Sequence, residues 1–184
     1  SPYKDKVISD EQAKAIISAS NSFPIREKCL IYLLMNIAPR IGEVSRIRIK
    51  DIDLDNNKIW IRGKGHNDNV SRYSNFNDKT KDLLIRLMVE YGLDREYLFV
   101  NYKGEQLSEQ SLRKMWYEVC EVTNIENVTP HQVRHFVGSS LVEKGVELKK
   151  VSQILGHTGI KTTEMYYVRP KDNFNETLDV IDIF

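Results

Sequence analysis

Apolar positions recur with a helical period over most of the chain and switch to alternation only between residues 49 and 76. Ser9-Asp-Glu-Gln12 has the form of a capping box, and Ala13, Ile16 and Ile17 follow at helical spacing, which predicts a helix over residues 9 to 20. Pro24 suits the first turn of a second helix. Its stripe Cys29-Leu-Ile-Tyr-Leu-Leu-Met35 is continuous, as expected of a helix buried on most sides. Pro39 forces a break before Arg40, and a short third helix is expected over residues 41 to 47. Ile52-Asp-Leu54, Lys58-Ile-Trp-Ile61 and Val70-Ser-Arg-Tyr73 then alternate or carry β-branched and aromatic residues, with turn residues between them, and predict a three-stranded antiparallel sheet. Helical periodicity resumes over residues 78 to 91, 108 to 123, 130 to 144 and 147 to 155, and again over residues 161 to 167. The expected class is mainly α with one small antiparallel sheet, an α+β fold.

The 184 residues suit a single domain with a proper core. Hydrophobic residues make up 41% and charged residues 29%, with no apolar run of membrane-spanning length, so a soluble protein is expected. Ser1-Pro2-Tyr3-Lys4 lacks the basic-then-apolar pattern of a signal peptide and reads as a cut start, which favours the cytoplasm. Cys29 and Cys120 lie far apart in apolar helical patterns and fit reduced, buried thiols. Net charge is only +1, but residues 171 to 184 carry a net −3, leaving a mildly basic body. Residues 40 to 72 hold eight Lys/Arg against five Asp/Glu, so Arg46, Arg62 and Arg72 are candidate DNA contacts.

Four segments carry chemistry. His131-Gln-Val-Arg134 places a histidine and an arginine on one helix face, able to reach a single phosphate together. Leu155-Gly-His157 adds another imidazole, and Tyr166, nine residues on, supplies a phenol. Pro39-Arg40-Ile-Gly-Glu43 contributes a second arginine at a helix start, with Glu43 one turn on as its supporting partner, and Arg-Gly-Lys64-Gly places a lysine between two strands. Guanidinium and imidazole donors with a phenol nucleophile are the parts needed to attack and stabilise a phosphodiester without a metal. A zinc reading of His131 and His135, four apart, competes. Gln132 stands where such a motif needs glutamate, Arg134 adds repulsive charge, and no third ligand is signposted.

Together these segments resemble the catalytic domain of the tyrosine recombinases, the phage-integrase and Xer-like family, over nearly the whole chain. Val133 takes a leucine position of the family's His-x-Leu-Arg-His segment, and Ile37-Ala-Pro39 replaces its usual Thr-Gly-Leu. The resemblance implies the fold of the DNA breaking-rejoining enzymes and site-specific DNA strand exchange without metal, ATP or other cofactor. It assigns Tyr166 as nucleophile, forming a 3′-phosphotyrosyl link, Arg40 and Arg134 as clamps on the non-bridging oxygens, Lys64 as general acid, His131 as handler of the tyrosine proton and His157 as phosphate donor. It further implies double-stranded DNA as partner, a homo-tetramer on DNA and a monomer without it. Integration or excision of a mobile or viral element is the expected outcome, with Xer-type dimer resolution as the alternative. A type IB topoisomerase-like enzyme and a catalytically silent DNA-binding module are the remaining rivals. Residues 1 to 172 are expected to form the catalytic domain. The amphipathic acidic tail, residues 173 to 184, is expected to pack in cis or in a neighbouring protomer. The family's N-terminal core-binding domain is expected to be missing from this chain.

Overall fold

The computed structural model describes residues 8–64, 70–126 and 128–157, and every structural statement here concerns those residues. Their helices are α1 (Asp10–Ala19), α2 (Ile25–Ile37), α3 (Ile41–Ser45), α4 (Asp78–Tyr91), α5 (Glu109–Val122), α6 (Pro130–Glu143) and α7 (Leu148–Leu155). Between α3 and α4 lie strands β1 (Ile52–Asp53), β2 (Lys58–Ile61) and β3 (Arg72–Asn75), an antiparallel sheet in the order β1-β2-β3. The expected α+β class is observed.

Helix α2 is the central pillar. Ten of its thirteen residues are buried, and it packs against α4, α5 and α6. Burying each Leu or Ile side chain contributes about 1.5–3 kcal/mol, so this one helix anchors the fold. Short polar caps fix where the others begin. Ser9 and Gln12 form the expected capping box on α1, while Asn77 accepts from the Thr80 N–H at α4 and Ser108 from the Ser111 N–H at α5. Asn36, near the end of α2, accepts the Asn77 N–H at 2.8 Å and so joins the pillar to the start of α4. Trp116 of α5 is fully buried and donates its indole N–H to Val128 O at 2.8 Å. Cys29 and Cys120 are buried free thiols, and burial alone pushes Cys120 up to about 11. No described helix is long and apolar enough to cross a membrane.

The sheet departs from the alternation in two ways. Strand β3 begins at Arg72, two residues later than expected, because the Val70 N–H is spent on Gly156 O at 3.0 Å and the Ser71 hydroxyl accepts the Gly63 N–H at 3.0 Å. Its faces are also inverted relative to polarity: Arg72 and Ser74 point into the protein, while Tyr73 is 61% exposed. Tyr73 covers Trp60 on the outer face, ring centroids 4.7 Å apart.

Candidate active site

The C-terminal end of α2, the N-terminal ends of α3 and α6, and the C-terminal end of α7 meet at one side of the molecule, held together by hydrogen bonds from two arginines. Helix α2 ends on Ala38 in the left-handed conformation, φ +50°, ψ +47°. That is uncommon for a residue with a Cβ and costs about 1–2 kcal/mol. The reversal presents Ala38 O to Arg134, whose Nη1 donates to it at 2.6 Å, and sends the chain through Pro39 into Arg40. Arg134 is 3% exposed, and its Nη2 donates to Leu155 O at the end of α7.

Arg40 is the residue before α3, half-buried, and its backbone N–H donates to Glu43 Oε1 at 2.7 Å. Glu43 departs from its expected partnership. Its guanidinium contact with Arg40 is long, 4.0 Å, whereas Arg72 binds it with both Nη atoms, at 2.7 Å and 3.1 Å. The Glu43 side chain is fully buried and that of Arg72 is 7% exposed. Burial pushes the Glu43 carboxyl up, and the hydrogen bonds and charge of Arg72, with the Arg40 N–H, more than reverse this, leaving it below the ordinary carboxylate range. Gly42, between Arg40 and Glu43, lies against α5: a Cβ there would stand 2.8 Å from the Glu109 carboxylate, which would have to swing aside.

Arg40, His131 and Arg134 line one cleft of about 360 Å³ together with Gly42, Pro130 and a stripe on α5: Glu109, Arg113 and Tyr117. Partial burial of the ring, then the Arg134 and Arg40 charges, hold His131 below the ordinary imidazole pKa, so it is neutral near pH 7 and able to accept a proton. His135 is half-buried one turn further on and is likewise lowered, by burial and by His131. Gln132 has a different task from the one its zinc-motif position suggests. It forms a capping box with Thr129, Gln132 N to Thr129 Oγ1 at 3.1 Å and Thr129 N to Gln132 Oε1 at 2.8 Å, which opens α6 with Pro130 in its first turn. Among the described residues no group of three or more His, Cys, Asp or Glu is placed to hold a metal ion.

His157 follows Gly156, which ends α7 in the left-handed region at φ +75°, and its N–H donates to Ser152 O at 2.9 Å. Leu155, just before that turn, accepts from Arg134, so the cleft's buried arginine and the His157 turn are directly joined. Lys64 is exposed beyond β2. Tyr166, the expected helix over residues 161 to 167 and the tail from residue 173 lie outside the described residues.

The three expected DNA contacts have different fates. Arg62 is partly exposed and forks onto Asp51, 2.8 Å from each nitrogen. Arg46 is half-buried and donates Nε to Arg62 O at 3.1 Å. Arg72 departs from the expectation of a surface contact: its guanidinium is buried, closed by Glu43 on one side and by Ile154 O, 2.9 Å from Nε, on the other. The α5 stripe was not anticipated from sequence. Its signal was the spacing of Glu109, Arg113 and Tyr117 on the polar side of an amphipathic helix, which a solvated face would share.

Two arginines and a histidine thus wall one cleft of a mainly helical domain with a three-stranded sheet. The phage integrase family model matches residues 6–173, and the chain belongs to that family. Tyrosine recombinase XerC of Corynebacterium glutamicum is 26% identical over 165 residues, 88% of this chain and 54% of that protein. Tyrosine recombinase XerA of Thermococcus kodakarensis is 30% identical over 165 residues, 88% of this chain and 57% of that protein. The crystal structure of XerA recombinase superposes with a TM-score of 0.78 at 25% identity, covering 90% of this chain and 61% of that one. The Tn1549 transposon integrase in complex with a circular intermediate DNA shares the fold, with a TM-score of 0.75 at 18% identity, covering 90% of this chain and 62% of that one. The chain spans about half the length of the curated relatives it matches.

Proposed function

We propose that this chain is the catalytic domain of a tyrosine site-specific recombinase, residues 1 to 172, which cleaves and rejoins double-stranded DNA through a 3′-phosphotyrosyl intermediate. The observation that carries this reading is the convergence of Arg40, His131 and Arg134 on one cleft, with the His157 turn tied to Arg134. Two guanidinium groups there can take the non-bridging oxygens of a phosphate and stabilise the charge that builds in a pentavalent transition state. Neutral His131 can accept the phenol proton as Tyr166 attacks, His157 donates to a phosphate oxygen, and Lys64 protonates the departing 5′-oxygen. Bond energy is conserved in the phosphotyrosine, so neither ATP nor a metal enters. The enzyme works as a DNA-bound tetramer in the cytoplasm, with residues 173 to 184 coupling neighbouring active sites.

Integration or excision of a mobile or viral element is the outcome we favour, in keeping with the likeness to transposon and phage integrases. Dimer resolution is the second reading, favoured by relatives that carry Xer names. The test is covalent capture: a randomised pool of nicked duplexes is incubated with the protein and adducts are recovered on denaturing gels. Wild type should give adducts in the presence of chelator, and Tyr166→Phe should give none while still binding DNA. Adducts from Tyr166→Phe that vanish in Tyr167→Phe would move the nucleophile by one residue, and inhibition by chelator would restore the metal reading. Captured sites that lie at element ends support integration, and sites that lie in chromosome-dimer junctions support resolution.

A further inference from the structure

Arg72 was the one buried arginine whose position in the sequence suggested a solvent-facing strand, and its surroundings account for all of its reach. Both Nη atoms hold Glu43, which in turn accepts the Arg40 N–H at the start of α3. Nε donates to Ile154 O, in the last turn of α7. The guanidinium lies so close over Gly156 that a Cβ at that position would stand 2.5 Å from Nη1 and 2.8 Å from Cζ. A helix C-terminus leaves its final carbonyls without intrahelical partners. Here three successive carbonyls at that end are taken by other elements: Ile154 O by Arg72, Leu155 O by Arg134, and Gly156 O by the Val70 N–H leading into β3.

We propose that Arg72 is a positioning residue for strand cleavage, setting Arg40 through Glu43 and His157 through the last turn of α7 while touching no DNA itself. The inference rests on the cleavage reading above. A fork with donors on three nitrogens can bridge a carboxylate on one element and a carbonyl on another, whereas an ammonium is a single point charge. Lysine in its place keeps charge opposite Glu43 and gives up one of the two connections. A second handle is Gly156, where an added methyl presses on the guanidinium, leaves both charged partners chemically intact and also strains the left-handed turn, φ +75°, before His157.

The experiment compares wild type, Arg72→Lys, Gly156→Ala and Leu87→Ala. Leu87 is buried in α4, outside the cleft lining, and serves as a control for lost stability alone. Each protein is assayed below its own melting transition for DNA affinity over a salt series and for single-turnover cleavage of captured nicked duplex at saturating protein. Arg72→Lys and Gly156→Ala should each slow cleavage of bound DNA by tenfold or more, with affinity within twofold of wild type and an unchanged salt slope. Leu87→Ala should melt earlier and cleave at the wild-type rate. Wild-type cleavage by Arg72→Lys, or an equal slowing in Leu87→Ala, overturns the inference. So does DNA binding weakened more than twofold in Arg72→Lys, the sign that the guanidinium itself meets the duplex. If Arg72→Lys does not fold, Glu43→Gln, which weakens the hold of Arg72 and leaves the Gly156 turn untouched, is read in its place and should slow cleavage of bound DNA by tenfold or more; wild-type cleavage by it overturns the inference. Failure of wild type to form any adduct overturns the cleavage reading first, and this inference with it.

Discussion

Two arginine–carboxylate forks flank the same sheet and differ in almost everything except chemistry. At the rim, Arg62 donates Nε and Nη2 to Asp51, both at 2.8 Å, with the arginine side chain 34% exposed and that of Asp51 6%. Inside, Arg72 donates two nitrogens to Glu43 at 2.7 Å and 3.1 Å, with the pair 7% and 0% exposed. Water reaches the arginine of the first pair, competes for it and screens it, so that pair contributes less. The second has no such alternative. Each partner inside has been stripped of water, so the pair matters less for what it adds than for what its loss leaves behind: a buried, uncompensated charge. Geometry alone would rank the two as equals, and burial separates them.

The sharpest way to break that comparison is to remove the arginines one at a time. Arg72→Ala should destabilise the domain by about 3–5 kcal/mol, the cost of stranding a buried carboxylate. Arg62→Ala should lower the urea midpoint much less, because water can take the place of a partly exposed guanidinium beside Asp51. Similar midpoints for the two variants would mean that Glu43 finds solvent when Arg72 is gone.

Acid should attack the interior next. Glu43 and the histidines His131 and His135 all have pKa values below their ordinary ones in the folded protein. The unfolded chain therefore binds more protons than the folded one at pH values below the unfolded pKa of each group, and stability rises with pH there. For the histidines this stability is complete above about pH 6.5 and is lost as pH falls through the lowered folded values; for Glu43 the corresponding loss begins below about pH 4.3. Urea titrations from pH 8 to 3 should show two descending steps. Glu43→Gln should remove much of the lower step, and a single step near pH 4 would place the histidines in water.

A smaller effect is expected at Ala38, whose carbonyl faces Arg134. Ala38→Gly relieves a left-handed alanine and should stabilise by about 1 kcal/mol, raising the melting midpoint by about 2–4 °C. A fall would mean that the buried methyl contributes more packing than its backbone costs in strain. Smallest of all is salt. Raising sodium chloride should loosen the Arg62–Asp51 fork and leave the Arg72–Glu43 pair untouched, read as a stability difference between wild type and Arg62→Ala that fades with ionic strength.

Most of the helical frame was legible because period and caps agreed. Residues 78 to 91 were bounded correctly by Leu83, Leu84, Leu87 and Met88 with Gly92 beyond, and α6 by Pro130 and Gly145. The meeting of Arg40, His131 and Arg134 in one cleft was anticipated only through resemblance, since 91 residues separate the first two in the chain and no local pattern encodes that contact. Strand β3 misled for a physical reason. In Arg72-Tyr-Ser-Asn75 the usual rule puts the aromatic inside, but the inward position at Arg72 is bought by a carboxylate from α3 that the strand itself does not reveal. Ala38 was illegible too, because a left-handed helix end is signalled by glycine or asparagine.

The two ends of the β2–β3 connection are clasped before the connecting chain leaves: Gly63 N–H on Ser71 Oγ, and Val70 N–H on Gly156 O. A clasp of that kind separates the history of a loop from the history of its scaffold. Closing a longer loop costs only slowly more, about 0.6 kcal/mol for each doubling of its length. Changes confined to residues 65 to 69 should therefore leave sheet register and the end of α7 in place, while Lys64 has to stay if it is to serve as general acid. For anyone wishing to graft a new sequence preference onto this domain, those five positions are the ones to exchange, between borders that are already welded.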